Sequence, residues 1–141
     1  YSIQYDPGDS TSGMFGGNSN WRGPVWIPLN FMFINALKIY GEFYGDEFKV
    51  ECPKGSGISL TLREVAKEMT RRLIHIFEKN EQDERLVFGP YNWFYKREEN
   101  KKLVLFHEYF HGNTLKGLGA SHQTGWTALI ANLLYDFNEK E

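Results

Sequence analysis

The hydrophobic positions in the first third of the chain recur with the period of an α-helix. From about Pro24 onwards, apolar side chains are separated by three or four residues, which places them on one helix face. They are Leu29, Phe33, Ala36, Leu37, Tyr40 and Tyr44. Pro24 suits a first turn, whereas Pro28 either resets the helix start or kinks the helix, because proline has no backbone donor. Gly41 and Gly45 mark the end of this predicted helix.

A second helix is predicted to start after Thr61. Thr61 and Glu64 have the spacing of a capping box, in which each side chain accepts a hydrogen bond from the other residue's backbone amide. Apolar residues follow at helical spacing and form one stripe. They are Leu62, Val65, Ala66, Met69, Leu73, Ile76 and Phe77.

The last predicted helix runs from about Ser121 or Thr124 to Phe137. Its inward residues are predicted to be Trp126, Leu129, Ile130, Leu133, Leu134 and Phe137. The short apolar run 103–106 fits either a buried strand or part of a helix, and its periodicity leaves both open. The pattern as a whole predicts an all-α fold of about three to four helices.

Long segments rich in glycine and aromatic residues join these helices. They cover residues 1–23, 45–59 and 79–102 and the glycine-rich stretch 112–119. Loops longer than about 12 to 15 residues are uncommon in compact domains unless they serve a function. We therefore expect these loops to build a site.

Composition narrows the possible partners. Sixteen Lys and Arg against eighteen Asp and Glu give a formal net charge of -2, with no basic block to neutralise phosphates, so we expect no nucleic-acid partner. No apolar run approaches the roughly 20 residues that span a bilayer, so we expect no membrane partner. The single Cys52 excludes an internal disulfide framework and favours a reducing, cytoplasmic location.

Residues 107–111 match the HExxH pattern of zinc hydrolases, with His107 and His111 as candidate ligands. That pattern needs a helix to hold both imidazoles on one face, but Gly112 follows at once and interrupts a helix. A third ligand at the expected spacing is also missing. We therefore assign no metal and no cofactor, and keep a zinc hydrolase only as an alternative.

Glu108 is the candidate catalytic residue. It lies between an apolar segment and a glycine-rich loop, where partial burial can tune a carboxylate and a substrate can approach the backbone closely. Its neighbours combine hydroxyl-binding groups with rings that stack on sugars. They are Tyr109, Phe110, His111, His122, Gln123 and Trp126.

Three segments carry a family resemblance. They are residues 14–26 (MFGGNSNWRGPVW), residues 44–49 (YGDEFK), and residues 106–112 with 117–127 (FHEYFHG and GLGASHQTGWT). Together they resemble the C-terminal catalytic domain of glycoside hydrolase family 63, which includes processing α-glucosidases, and more loosely the trehalase family. The resemblance extends over nearly the whole chain. It implies that residues 1–141 are the C-terminal portion of one (α/α)6 barrel.

The same resemblance implies an exo-acting α-glycosidase that inverts the anomeric centre. Glu108 falls on the position of the general base. Inverting hydrolysis also needs a carboxylic acid to protonate the leaving oxygen. The substrate-binding positions implied or suggested by the motifs are Trp21, Arg22, Tyr109, His122, Gln123 and Trp126. The expected partner is a carbohydrate, an α-glucoside or an α-mannoside of the glycerate type.

The family's general acid comes from an earlier part of the barrel, and neither Asp6 nor Asp9 matches its motif. We therefore expect this chain alone to be inactive and to need the remainder of the barrel. An apolar face made for those neighbours should be exposed, unless copies of the chain self-associate. The alternative function is a non-catalytic helical module that binds sugars or another partner.

Overall fold

The computed structural model describes residues 5–9 and 24–138. The first helix, α1, spans Ile27–Tyr44, so Pro28 lies in its first turn, where a missing amide costs no helical hydrogen bond. Val25 instead pairs with Phe110 in a β-bridge, which explains why the helix begins later than Pro24. The predicted end is confirmed: Gly45 has a φ of 69° and donates its N–H to the Gly41 carbonyl at 3.1 Å.

The second helix, α2, spans Leu62–His75 and begins with the predicted capping box. The Thr61 amide donates to Glu64 Oε2 at 2.7 Å, and the Glu64 amide donates to Thr61 Oγ1 at 3.2 Å. Two short strands precede it, β1 at Lys49–Glu51 and β2 at Ser59–Thr61, paired antiparallel with Val50 opposite Leu60. This hairpin was not predicted, because each strand has only three residues and too little alternation to be recognised.

The middle of the chain forms short helical turns. A 3-10 helix covers Leu86–Tyr91, and the four-residue helix α3 covers Asn92–Tyr95. The apolar run 103–106 is neither a buried strand nor a helix, because Leu103 and Val104 are exposed and only Phe106 makes a bridge, to His122.

The C-terminal helix is divided into two. The first part, α4, spans Thr124–Thr127, and the second, α5, spans Ile130–Asn138. Between them the hydrogen bonds tighten to three-residue spacing, for example from the Asn132 amide to the Leu129 carbonyl at 3.1 Å. Ile130 and Leu133 are buried as predicted, whereas Leu134 is exposed.

The hydrophobic core lies where α1, α2 and α5 pack around the segment that contains Phe110. Its buried members are Ile27, Ile34, Ala66, Leu73, Ile74, Ile76, Val87, Phe88, Phe110, Ile130 and Leu133. Phe110 is fully buried and meets the Phe77 ring edge-on, with centroids 5.6 Å apart. Helices are the main regular structure, so the all-α prediction is confirmed.

Most of the predicted stripe of α1 faces outwards rather than into the core, although Leu37 packs against the core as predicted. The core side of α1 is formed by Ile27, Ile34 and Gly41, and a methyl group at Gly41 would lie 2.8 Å from Arg63 Cγ. Gly41 thus permits the close approach of α1 to the start of α2. The exposed side, which we call the outer face of α1, is a continuous apolar surface. It consists of Leu29, Met32, Phe33, Ile39, Tyr40, Phe43 and Tyr44.

Candidate active site

The segment that holds Glu108 is the centre of a small hairpin. Strand β3, at Tyr109–Phe110, pairs antiparallel with β4, at Gly117–Leu118. The tip is closed by the His111 amide, which donates to the Lys116 carbonyl at 2.8 Å. At the open end, the Gln123 amide donates to the Phe106 carbonyl at 2.8 Å. We call residues 106–123 the Glu108 hairpin.

Glu108 is held by the opposite side of this hairpin. Its backbone N–H donates to the Ala120 carbonyl at 2.8 Å, and the Ala120 N–H donates to Glu108 Oε2 at 3.2 Å. Gly119, which precedes Ala120, has a φ of 65°, a conformation that residues with a side chain rarely adopt. Glu108 itself is partly exposed. The hairpin therefore holds one carboxylate oxygen and leaves the side chain accessible.

Tyr109 is buried, and its hydroxyl donates to Asp9 Oδ1 at 2.5 Å. Burial, and then the bond to the Asp9 carboxylate, raise the pKa of the Tyr109 hydroxyl well above its usual value. The same N-terminal segment is attached again by the Gly112 amide, which donates to the Pro7 carbonyl at 2.7 Å. Tyr109 thus connects the segment 5–9 to the Glu108 hairpin.

The two histidines of the HExxH match are not on a helix. Tyr109 and Phe110, which lie between them, form strand β3, whereas the zinc motif needs both histidines on one helical face. His111 Nδ1 accepts hydrogen bonds from the amides of Asn113 and Thr114, each at 3.2 Å. In the described ranges, no three His, Cys, Asp or Glu side chains are grouped closely enough to hold a metal ion.

His107 supports the hairpin from the side of helix α4. Its carbonyl accepts a hydrogen bond from the hydroxyl of Thr127, which is fully buried. Its imidazole covers Gly117, where a methyl group would overlap the ring. Burial lowers the pKa of the His107 imidazole below 6.5, and among the residues described its Nδ1 atom has no hydrogen-bond partner. His107 is therefore part of the packing around the hairpin, and its burial favours the neutral imidazole.

The remaining predicted sugar-binding residues, His122, Gln123 and Trp126, lie in α4 or just before it. Gln123 is the N-cap residue of this helix, and its backbone carbonyl accepts hydrogen bonds from the amides of Trp126 and Thr127 at 3.1 and 3.0 Å. The ring of Trp126 meets Trp26 edge-on, with centroids 5.3 Å apart. His122 is exposed and is joined to the segment before β3, which contains Glu108, through its bridge to Phe106. His122 and Gln123 are thus linked through Phe106 to the segment that carries Glu108, and Trp126 follows them in α4.

Trp21 and Arg22 lie outside the described residues. Three residues that contact this site were not singled out from the sequence as functional. The Asp9 carboxylate accepts a hydrogen bond from Tyr109, one hundred positions later in the sequence. The Thr127 hydroxyl donates a hydrogen bond to the carbonyl of His107, twenty positions earlier. Gly119 belongs to a glycine-rich stretch, but glycine content alone does not indicate which glycine approaches a carboxylate.

Comparison with known proteins gives a distant relationship to glucosidases. The mannosyl-oligosaccharide glucosidase of Saccharomyces cerevisiae is 25% identical over 124 residues, which is 87% of this chain and 12% of that protein. A probable mannosyl-oligosaccharide glucosidase of Schizosaccharomyces pombe is 24% identical over 119 residues, or 84% of this chain and 11% of that protein. The chain is therefore distantly homologous to mannosyl-oligosaccharide glucosidases over most of its length.

A more similar relative has no stated function. An uncharacterized protein of Saccharomyces cerevisiae is 51% identical over 138 residues, 96% of this chain. The chain spans only 13% of that relative, and similarly small shares of the two glucosidases. No family model matches the chain, and no solved structure matches it.

Proposed function

We propose that this chain is the C-terminal portion of an (α/α)6 catalytic domain of the glycoside hydrolase family 63 type, in an inverting, exo-acting α-glycosidase. The distant homology to two mannosyl-oligosaccharide glucosidases carries this proposal. The family-like motifs around residues 14–26 and 106–127 add support. The substrate is an α-glucoside, or an α-mannoside of the glycerate type.

Glu108 is the proposed general base. Inversion requires a carboxylate that takes a proton from the attacking water, about 6.5 to 9.5 Å from the acid that protonates the leaving oxygen. The Ala120 amide binds Oε2 of Glu108. Within the described part of the chain, no hydrogen bond occupies Oε1, so that oxygen is available to accept the proton from water.

The proposed sugar pocket surrounds this carboxylate. Aromatic rings can stack on a pyranose, while imidazole, amide and guanidinium groups can bind hydroxyls. The residues assigned to it are Trp21, Arg22, Tyr109, His122, Gln123 and Trp126. Tyr109 is proposed to act there through its hydrogen bond to Asp9, which attaches the segment 5–9 to the Glu108 hairpin.

The remainder of the barrel is the proposed partner of the outer face of α1. A helix that is apolar on both sides is usually buried on both sides. Alternatively, copies of the chain self-associate and bury this face against each other. Because the general acid is not assigned to this chain, the chain alone is expected to be inactive.

No helix within residues 5–9 and 24–138 is long and apolar enough to cross a membrane. A cytoplasmic location is proposed from the single Cys52.

The test is hydrolysis by the full-length protein of α-linked glucose disaccharides and of mannosylglycerate, before and after Glu108→Gln. Glutamine keeps the size of the side chain but removes the base, so turnover should fall by a factor of about a hundred or more. Proton NMR of the first product should show the β-anomer from an α-linked substrate. Unchanged turnover in Glu108→Gln would remove Glu108 from the mechanism.

The same assay separates the alternatives. A sugar-binding module would bind these sugars, measured by calorimetry, without turnover and with the same affinity after Glu108→Gln. A zinc hydrolase would lose its activity with a chelator and after His107→Ala or His111→Ala.

A further inference from the structure

The Glu108 hairpin brings a glycine into contact with the proposed base. We infer that Gly119 is a positioning residue for the Glu108 carboxylate, and this inference rests on the proposed function of Glu108. Its absent side chain leaves the space that the carboxylate occupies. Its backbone turn directs the next amide at that carboxylate.

The space at Gly119 is too small for any side chain. A methyl group there would lie 2.6 Å from Glu108 Oε2, 2.8 Å from Tyr109 Cε1 and 2.9 Å from Glu108 Cβ. Atoms that are not bonded need more than 3 Å of separation, so the neighbours would have to move. The Tyr109 ring is buried, and Glu108 Cβ is held in place by the backbone hydrogen bond from Glu108 to Ala120. The carboxylate of Glu108 is therefore the most easily displaced of the three neighbours, and relief of the other two contacts also needs the backbone at 119 to move away from Glu108.

The backbone conformation of Gly119 also positions Ala120 against Glu108. With a φ of 65°, Gly119 reverses the chain so that the Ala120 amide and carbonyl both meet Glu108. The carbonyl accepts from the Glu108 amide at 2.8 Å, and the Ala120 amide donates to Oε2 at 3.2 Å. A side chain at 119 would disturb both contacts.

A turned carboxylate affects the chemical step more than sugar binding. The general base must meet the attacking water within hydrogen-bond distance, and a displacement of about 1 Å can lower a rate a hundredfold. Ground-state binding of the sugar depends on other side chains. Gly119→Ala should therefore lower kcat by about ten- to a hundredfold and leave KM within about twofold.

Gly57 provides a matched control. It has a φ of 72° with no atom within 4 Å of an added methyl group. Gly57→Ala thus introduces the same unfavourable backbone conformation without contact to Glu108. Gly119→Asn is a second variant, because asparagine tolerates positive φ better than alanine while it still adds a Cβ atom. It decides the question if Gly119→Ala does not fold.

The experiment measures kcat, KM and the melting temperature of the full-length protein on its best disaccharide substrate. The inference is supported if Gly119→Ala and Gly119→Asn lose kcat while Gly57→Ala keeps it. It is overturned if the Gly119 variants keep the kcat of the Gly57 variant while Glu108→Gln is inactive, an outcome that leaves the proposed function intact. If Glu108→Gln is active, the proposed function and this inference both fail.

Discussion

Replacing Phe43 by glutamine tests whether the outer face of α1 is covered in the longer protein. Phe43 has 80% of its surface exposed and is the most exposed large apolar residue of this face. It contacts Tyr44 edge-on, with ring centroids 5.0 Å apart. Glutamine is a good helix former and carries no charge, so the change alters little besides the apolar ring.

The expected cost differs between the free chain and the full-length protein. An aromatic side chain buries about 200 Å², so covering the exposed four-fifths of Phe43 removes about 160 Å² from water. At about 25 cal/mol per Å², this contributes up to about 4 kcal/mol in the full-length protein. In the free chain Phe43 is already four-fifths exposed, so the main loss is its ring contact with Tyr44, at a cost of about 1 kcal/mol or less.

The assay is thermal unfolding of both proteins, by circular dichroism for residues 1–141 and by calorimetry for the full-length protein. Phe43→Gln should lower the melting temperature of the free chain by a few degrees at most. In the full-length protein the loss in free energy of unfolding should be several times larger than in the free chain. Lys54→Gln, at the exposed tip of the β1–β2 hairpin, is the control and should have little effect in either. If Phe43→Gln lowered the free energy of unfolding equally in the two proteins, the outer face of α1 would not be covered in the full-length protein.

Two further predictions concern the support of the Glu108 hairpin. Thr127→Val should destabilise the protein by about 1 to 3 kcal/mol in denaturant unfolding, because it leaves the His107 carbonyl without its donor; Thr127→Ser keeps the donor, and an equal loss in both would contradict this. Burial lowers the pKa of His107 below 6.5 in the folded state, so the unfolded state takes up its proton first as the pH falls. Stability should therefore decrease from about pH 6.5 downwards until the folded pKa is passed. His107→Gln should remove this part of the pH dependence of the melting temperature, and an unaltered profile would show that the imidazole does not carry it.

The sequence by itself determined the features that depend on neighbouring residues. Thr61 and Glu64 are three positions apart, so their reciprocal capping could be recognised without knowledge of any other part of the chain. Gly45 ends α1 because glycine adopts positive φ at low cost, which is also a local property. The all-α class follows from the same local periodicities.

Only the tertiary structure decided which apolar face of α1 is buried. The residues of both faces are hydrophobic, and the choice depends on where α2 approaches, which Gly41 permits by its lack of a side chain. The HExxH match shows the same limit. Pairing with the strand at Gly117–Leu118 keeps His107 and His111 off a helix, and that pairing joins residues that the local pattern does not connect.

The candidate site likewise combines a local signal with distant contacts. Glu108 was predicted from its neighbours in the sequence and from the family-like motifs. Its surroundings come from contacts that cross the chain, such as that of Asp9 with Tyr109 and that of Thr127 with His107. Hydrogen bonds of this kind depend on how elements pack, so a single sequence specifies the residue types but not which of them meet.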